Sequence, residues 1–230
     1  MCGRFTLRID SEAVARAFDA RRGDLDHGPR YNISPTDPVT VVRLSAEDGG
    51  RELAEARWGL VPHWVDDPDD FDLTLINARS ETAPDKPAFR DAFRTRRCLL
   101  PADGFYEWVA VDGGKKQPFL VHRGDDAPFA LAGLWDRWRG PGDRRLESAT
   151  ILTCEPDEVV GELHDRMPVV LPPDRWDAWM DPASEPAAMQ ELLRPPERNE
   201  TAFEAHPVSR AVNRPDRDGP KLVEPVADER

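Results

Sequence analysis

Along this chain apolar residues gather in short runs separated by turn-forming residues, not in long helical stripes. Runs rich in β-branched and aromatic residues predict strands at PVTVVRL (38–44), EARWGLV (55–61), CLLPADGFYEWVAV (98–111), QPFLVHR (117–123), FALAGLW (129–135), ATILTC (149–154) and MPVVL (167–171). Helical spacing is confined to short stretches. In SEAVARAFDA (11–20) Ser11 stands at the cap position and Val14, Ala17 and Phe18 share a face. In PAFRDAF (87–93) Phe89, Ala92 and Phe93 do so, and from Asp174 to Met180 the residues Trp176, Trp179 and Met180 fall on one side. Gly113-Gly114 between two strand runs predicts a hairpin turn. The 23 prolines, scattered throughout, disfavour long helices. The pattern predicts an α+β chain dominated by antiparallel strands, one domain over 1–230. The polar, Pro-rich residues after about 213 form a tail on its surface, and the acidic run Asp66 to Asp72 a solvated loop. The absence of G-x-G-x-x-G and G-x-x-x-x-G-K-S/T sequences argues against dinucleotide and P-loop folds.

Composition adds a charge problem. A chain of 230 residues can bury about 70% of its unfolded surface, and with 39% apolar residues and 15 glycines it has a core to bury. Charged residues reach 33% and the net charge is -13, yet only Lys86, Lys115, Lys116 and Lys221 are lysine among 31 basic side chains. A carboxylate-rich, lysine-poor surface fits a halophilic cytoplasm, where salt screens self-repulsion. Taken alone, this balance argues against a nucleic-acid partner. No stretch approaches the roughly 20 apolar residues of a membrane span, and no signal peptide opens the chain, so a soluble cytoplasmic protein without membrane contact is expected. Cys2, Cys98 and Cys154 are widely spaced, with no C-x-x-C pair, and are expected as free thiols, Cys98 and Cys154 buried; neither a metal nor another cofactor is implied.

The second residue carries distinctive chemistry. Removal of Met1 would leave Cys2 with its α-amine and thiol on adjacent carbons, a 1,2-aminothiol. The amine, with a reference pKa of about 7.7–8.0, is partly neutral near pH 7, and the thiol, near 8.5, is partly ionised. Such a pair attacks an aldehyde twice, first as an imine and then as a five-membered thiazolidine.

Several ordered segments resemble one family: MCGRF, RYNISP (30–35), WGLVPHW (58–64), LINARSET (75–82), DGFYEW (103–108), LHDRMPVVL (163–171) and HPVSRAV (206–212) look like the SOS response-associated peptidase (SRAP) family, whose members crosslink covalently to abasic sites in DNA. The resemblance implies an SRAP-like fold, a single α+β domain of mainly antiparallel strands in barrel-like sheets with a few short helices. It implies Cys2 as nucleophile, Asn77 orienting the amine or opened sugar, Glu107 moving protons, and His164 as acid or base for closing or reversing the crosslink. Arg79 and Arg4 are expected on phosphates. The implied function is an abasic-site sensor acting on single-stranded DNA as a monomer and shielding the lesion from strand cleavage, with autocatalytic Met1 removal and lyase activity alongside. Glu107, between Tyr106 and Trp108 in an apolar strand, is placed where desolvation raises a carboxyl pKa. His206 reads as a structural hydrogen-bonder, and Trp58, Trp135 and Trp138 as core.

Trp64, after Pro62 and His63 at a strand exit, is expected as an exposed ring that stacks on a base, worth roughly 1–3 kcal/mol. Some family members carry a second aromatic residue next, where this chain has Val65, Asp66 and Asp67. The charge objection weakens in molar salt, where the Debye length is about 3 Å, and a covalent bond no longer depends on electrostatic affinity. Two other readings compete: an amino-terminal-nucleophile amidohydrolase, since such enzymes can also start MCG, and a binding module in which Cys2 is incidental.

Overall fold

Where apolar residues run unbroken the chain forms strands, and two sheets result. The computed structural model describes residues 2–71, 75–194 and 202–228. Met1, whose removal the sequence reading invokes, and Asp72, the last of the acidic run, lie outside them. In chain order the elements are β1 (Phe5–Leu7), α1 (Ser11–Ala17), β2 (Arg30–Ile33), β3 (Pro38–Leu44), β4 (Arg51–Trp58), β5 (Asn77–Arg79), α2 (Arg90–Thr95), β6 (Arg97–Ala102), β7 (Gly104–Ala110), β8 (Lys116–Arg123), β9 (Phe129–Arg139), β10 (Arg145–Cys154), α3 (Glu158–Gly161), β11 (Met167–Pro168), β12 (Val170–Leu171), α4 (Trp176–Met180), α5 (Pro186–Leu192) and β13 (Phe203–Pro207).

The smaller sheet runs β13-β8-β7-β1-β2, antiparallel throughout. In the larger, β4, β3, β6 and β9 pair antiparallel in succession. Strand β10 then joins β9 on one edge and β4 on the other, the latter in parallel, so that β10-β4-β3-β6-β9 closes into a ring. Closure removes the exposed edges that an open sheet would present to other chains. Beyond β4, β10 continues in parallel with β5 and in antiparallel with β11. The result is the mixed α+β, mostly antiparallel and barrel-like arrangement expected. Its core includes Val42, Leu99, Ala132, Leu134 and Ile151 of the ring, and Phe5 of β1 meets Trp58 of β4 edge-on at 5.1 Å, joining the two sheets. Among the described residues no helix is long and apolar enough to cross a membrane.

Several local expectations need correction. Asp10, not Ser11, caps α1, its carboxylate accepting from Ala13 N at 2.8 Å, while Ser11 is buried in the first turn. The run 98–111 is two strands in different sheets. The chain changes sheet at Asp103, a buried carboxylate that accepts from the Thr6 hydroxyl at 2.6 Å and from Arg8 Nε at 3.0 Å. Gly104 lets β1 and β8 close on that corner, because a Cβ there would lie 2.9 Å from both Leu120 Cδ1 and Thr6 Oγ1. The strand placed at 55–61 begins and ends earlier, as β4. Trp58 and Trp138 are buried as expected; Trp135 is only half-buried, with the guanidinium groups of Arg43 and Arg137 over its ring at 4.4 and 5.6 Å. Gly113 and Gly114 do form a turn, both with positive φ. All three cysteines are free and buried.

The residues after 213 are held from below. Asn32 donates to the carbonyls of Val212, Arg214 and Arg217, Asp218 accepts from Tyr31 N at 2.7 Å, and Leu222 joins Tyr106, Leu120, Val208 and Val212 in a second apolar cluster. His206 Nε2 meets the Val223 carbonyl at 2.9 Å and its Nδ1 faces His122 at 3.3 Å.

Candidate active site

The pairing of β1 with β7 positions Cys2, the expected nucleophile. Phe5 lies opposite Phe105 and Thr6 opposite Gly104, and Tyr106 N donates to Arg4 O at 3.0 Å. Extended towards the amino terminus, this register brings Gly3 across from Glu107, with Cys2 one residue further. The other sheet reaches the same point from β5. Asn77 Nδ2 donates to the Cys2 carbonyl at 2.7 Å, so Cys2 sits at the seam between the sheets, fully buried. Because Asn77 spends its amide N–H on the backbone of Cys2, its Oδ1 is left buried without a hydrogen-bond partner among the described residues. That oxygen is an acceptor waiting for a donor.

Glu107 is 2% exposed. Burial raises its pKa from 4.5 to about 7, so near neutrality it is present in both protonation states, the condition for a proton carrier. Burial, and then the charge of Glu107, push the Cys2 thiol above its ordinary value. The thiol is therefore protonated at rest, and Glu107 is close enough to act on it.

His164 follows α3, whose cap Asp157 accepts from Val160 N at 2.8 Å. His164 N bonds back to Val160 O, and its Nδ1 accepts from Arg166 N at 3.0 Å. Desolvation holds His164 below its ordinary pKa, against the opposing pull of solvent-exposed Asp165. Charges at Asp165 and Lys116 act on both Glu107 and His164, so the two groups share one electrostatic neighbourhood. Arg166, two residues on, was not singled out by the sequence reading. Its fork grips Glu81 at 2.8 and 2.9 Å and reaches Thr153 O at 2.6 Å, pinning the His164 segment to the turn after β5.

Of the three residues expected on DNA, two face solvent. Arg79, at the end of β5, is exposed, with no carboxylate in ion-pair range among the described residues. Trp64 is 52% exposed, the largest exposed apolar side chain described. Its turn is rigid: Val65 N bonds Pro62 O, His63 N donates to buried Asp136 at 3.1 Å, and Trp138 Nε1 donates to Val65 O at 2.6 Å. Arg4 points inward instead, donating to Asn32 Oδ1 at 2.9 Å and to the carbonyls of Val212 at 2.5 Å and Asn213 at 3.4 Å. Asn32 and Asp136 were legible in sequence only as polar residues; their partners lie far along the chain.

Comparison with known proteins returns one family. Residues 1–215 match the family model described as SOS response associated peptidase (SRAP). Over 227 residues, 97% of this chain and 99% of the relative, the chain is 35% identical to the abasic site processing protein YoqW of Bacillus subtilis. It is also 35% identical over 233 residues, 98% of this chain and 100% of the relative, to the abasic site processing protein YedK of Escherichia coli. Among solved structures, a protein from Bacteroides thetaiotaomicron superposes with a TM-score of 0.85 at 23% identity, covering 98% of this chain and all of the other.

Proposed function

The chain belongs to the SOS response-associated peptidase family, and from that premise we propose that it processes abasic sites in DNA by forming a thiazolidine between Cys2, freed of Met1, and the ring-opened sugar. The observation that carries this reading is the 2.7 Å hydrogen bond from Asn77 to the Cys2 carbonyl. It fixes the backbone of the residue whose amine must attack, beside a carboxyl group with a pKa near neutrality.

The α-amine adds to the aldehyde carbon and forms a carbinolamine. Asn77 Oδ1, buried and open to a donor, orients the amine for this step. Protonated Glu107 gives its proton to the departing hydroxyl, which leaves as water, and a protonated imine remains. Glu107 is now a carboxylate next to a protonated thiol. It takes the S–H proton as sulfur attacks the imine carbon; the C–S bond closes the ring, the C=N electron pair returns to the ring nitrogen, which keeps its proton, and Glu107 ends protonated as it began. One group thus serves both steps, which requires a pKa close to the working pH. Neutral His164 serves ring opening and reversal. The imine also permits β-elimination, hence lyase activity, in competition with ring closure. The same groups would remove Met1 by hydrolysis.

Arg79 fits a phosphate contact and Trp64 stacking on a base, a combination suited to a single strand whose bases are free to stack. Arg4, turned inward, fits a role in holding the start of the chain against Asn32 and the residue 212–213 carbonyls. Covalent capture suits a chain of net charge -13, because once formed the complex is insensitive to salt. The test is incubation with single-stranded DNA carrying one abasic site, at low and high salt, followed by denaturing electrophoresis. Wild type should give a heat-stable shifted band, Cys2→Ala none, and Cys2→Ser at most a labile imine. Equal behaviour of wild type and Cys2→Ala, or an intact mass that retains Met1, overturns the proposal.

A further inference from the structure

The hairpin joining β9 to β10 concentrates positive charge in an acidic protein: Arg137, Arg139, Arg144 and Arg145 lie close together along it. Two of them are neutralised. Arg137 donates to Glu147 at 2.8 Å, a carboxylate also held by Arg43, and Arg144 bonds Asp69 at 2.8 Å and Asp67 at 3.3 Å while its guanidinium lies over Trp138. Arg139 and Arg145 are not. Both are exposed, they stand directly opposite each other in the antiparallel register, and among the described residues neither has a carboxylate in ion-pair range. Asp143, in the turn between them, makes no ion pair with either. Like charges facing across a sheet weaken the pairing, and in a chain with 44 carboxylates a partner for each would be easy to supply. A facing, unneutralised pair of guanidinium groups is instead the geometry that holds one anion between two forks.

The position is informative too. The hairpin braces the loop that presents Trp64, through Trp138 Nε1 to Val65 O and through Arg144 to Asp67 and Asp69. Alternation along β9 puts Arg139 on the face of Trp135 and Arg137, opposite Asp136 and Trp138, which contact the Trp64 turn. The tip itself is thin, because Gly140 lies against the Trp138 ring, where a Cβ would come within 2.0 Å of Cη2. A strand leaving Trp64 meets the arginine pair by passing around this tip. We infer that Arg139 and Arg145 form a phosphate clamp that holds the DNA backbone flanking the lesion, a second grip apart from Cys2. This inference rests on the reading that DNA is the partner.

Fluorescence anisotropy with a labelled single-stranded abasic oligonucleotide, measured on the Cys2→Ala background from about 0.05 to 0.2 M salt, tests it. Removing two phosphate contacts by Arg139→Gln with Arg145→Gln should lower the slope of log K against log salt by about 1.4 and weaken binding roughly tenfold at the low-salt end. On the wild-type Cys2 background the same pair should leave the crosslinking rate at saturating DNA unchanged. Arg139→Lys with Arg145→Lys, which keeps the charge, should restore most of the slope, and thermal melting should show the Gln pair at least as stable as its parent. An unchanged slope and affinity, while the protein with Cys2 intact crosslinks normally, overturns the clamp and leaves the proposed function standing. A protein with Cys2 intact that neither binds nor crosslinks abasic DNA overturns both.

Discussion

Replacing Glu107 by Gln tests the buried carboxyl by stability and not only by activity. Its pKa rises from 4.5 in an unfolded chain to about 7 in the fold, chiefly through desolvation. The fold therefore holds a proton that the unfolded chain releases, and stability falls as pH climbs from about 4.5 to about 7, then stays level. At about 1.36 kcal/mol per pKa unit the loss is about 3 kcal/mol. Gln keeps the shape and has no charge to desolvate. Urea denaturation at intervals between pH 5 and pH 8 should show the variant equal to wild type at the acid end and more stable above pH 7, by up to about 3 kcal/mol. His164 titrates with the opposite sign: its depressed pKa adds stability as pH rises through the same region. Because both proteins carry it, the difference curve isolates Glu107. Crosslinking by the variant should fall at every pH. Parallel stability curves, or a variant less stable than wild type at pH 8, would refute the argument that desolvation tunes this group.

Asn77→Ala removes both the tether on the Cys2 carbonyl and the open acceptor; crosslinking in single-turnover assays should slow by about a hundredfold, in the range typical of a lost orienting group. Trp64→Ala deletes an exposed ring, so binding to abasic DNA should weaken by roughly 1–3 kcal/mol with no loss of thermal stability and an unchanged crosslinking rate at saturating DNA. Gly104→Ala forces a Cβ to within 2.9 Å of Thr6 Oγ1 and Leu120 Cδ1, and calorimetry should register a loss of about 1–3 kcal/mol from overpacking.

What the chain's pattern made legible was decided by range. Strand β3 falls on the predicted residues because its β-branched run Val39 to Val42 is buried throughout. Strands β1, β2 and β5 escaped, being three or four residues long; β5 exists because β10 runs beside it and Trp58 Nε1 bonds Ile76 O at 3.0 Å. The break at Asp103 was hidden for a similar reason: Leu100 and Phe105 look alike in sequence, and only Thr6 and Arg8, some ninety-odd positions earlier, give the carboxylate its reason to be there. At the site, the context of Glu107 announced its desolvation, since apolar neighbours on both sides are a local fact. The inward turn of Arg4 was invisible, because its acceptors at 212 and 213 are supplied from the other end of the chain.

The seam position of Cys2 also orders events in time. Synthesis delivers this residue well before its anchor at 77, and β10, which locks β5 in place, comes later still. A nascent chain thus carries its reactive end loose until nearly two-thirds of the polypeptide has been made. On the proposed function, small aldehydes in the cell would meet an unguarded aminothiol only during that interval, after which burial withdraws the thiol.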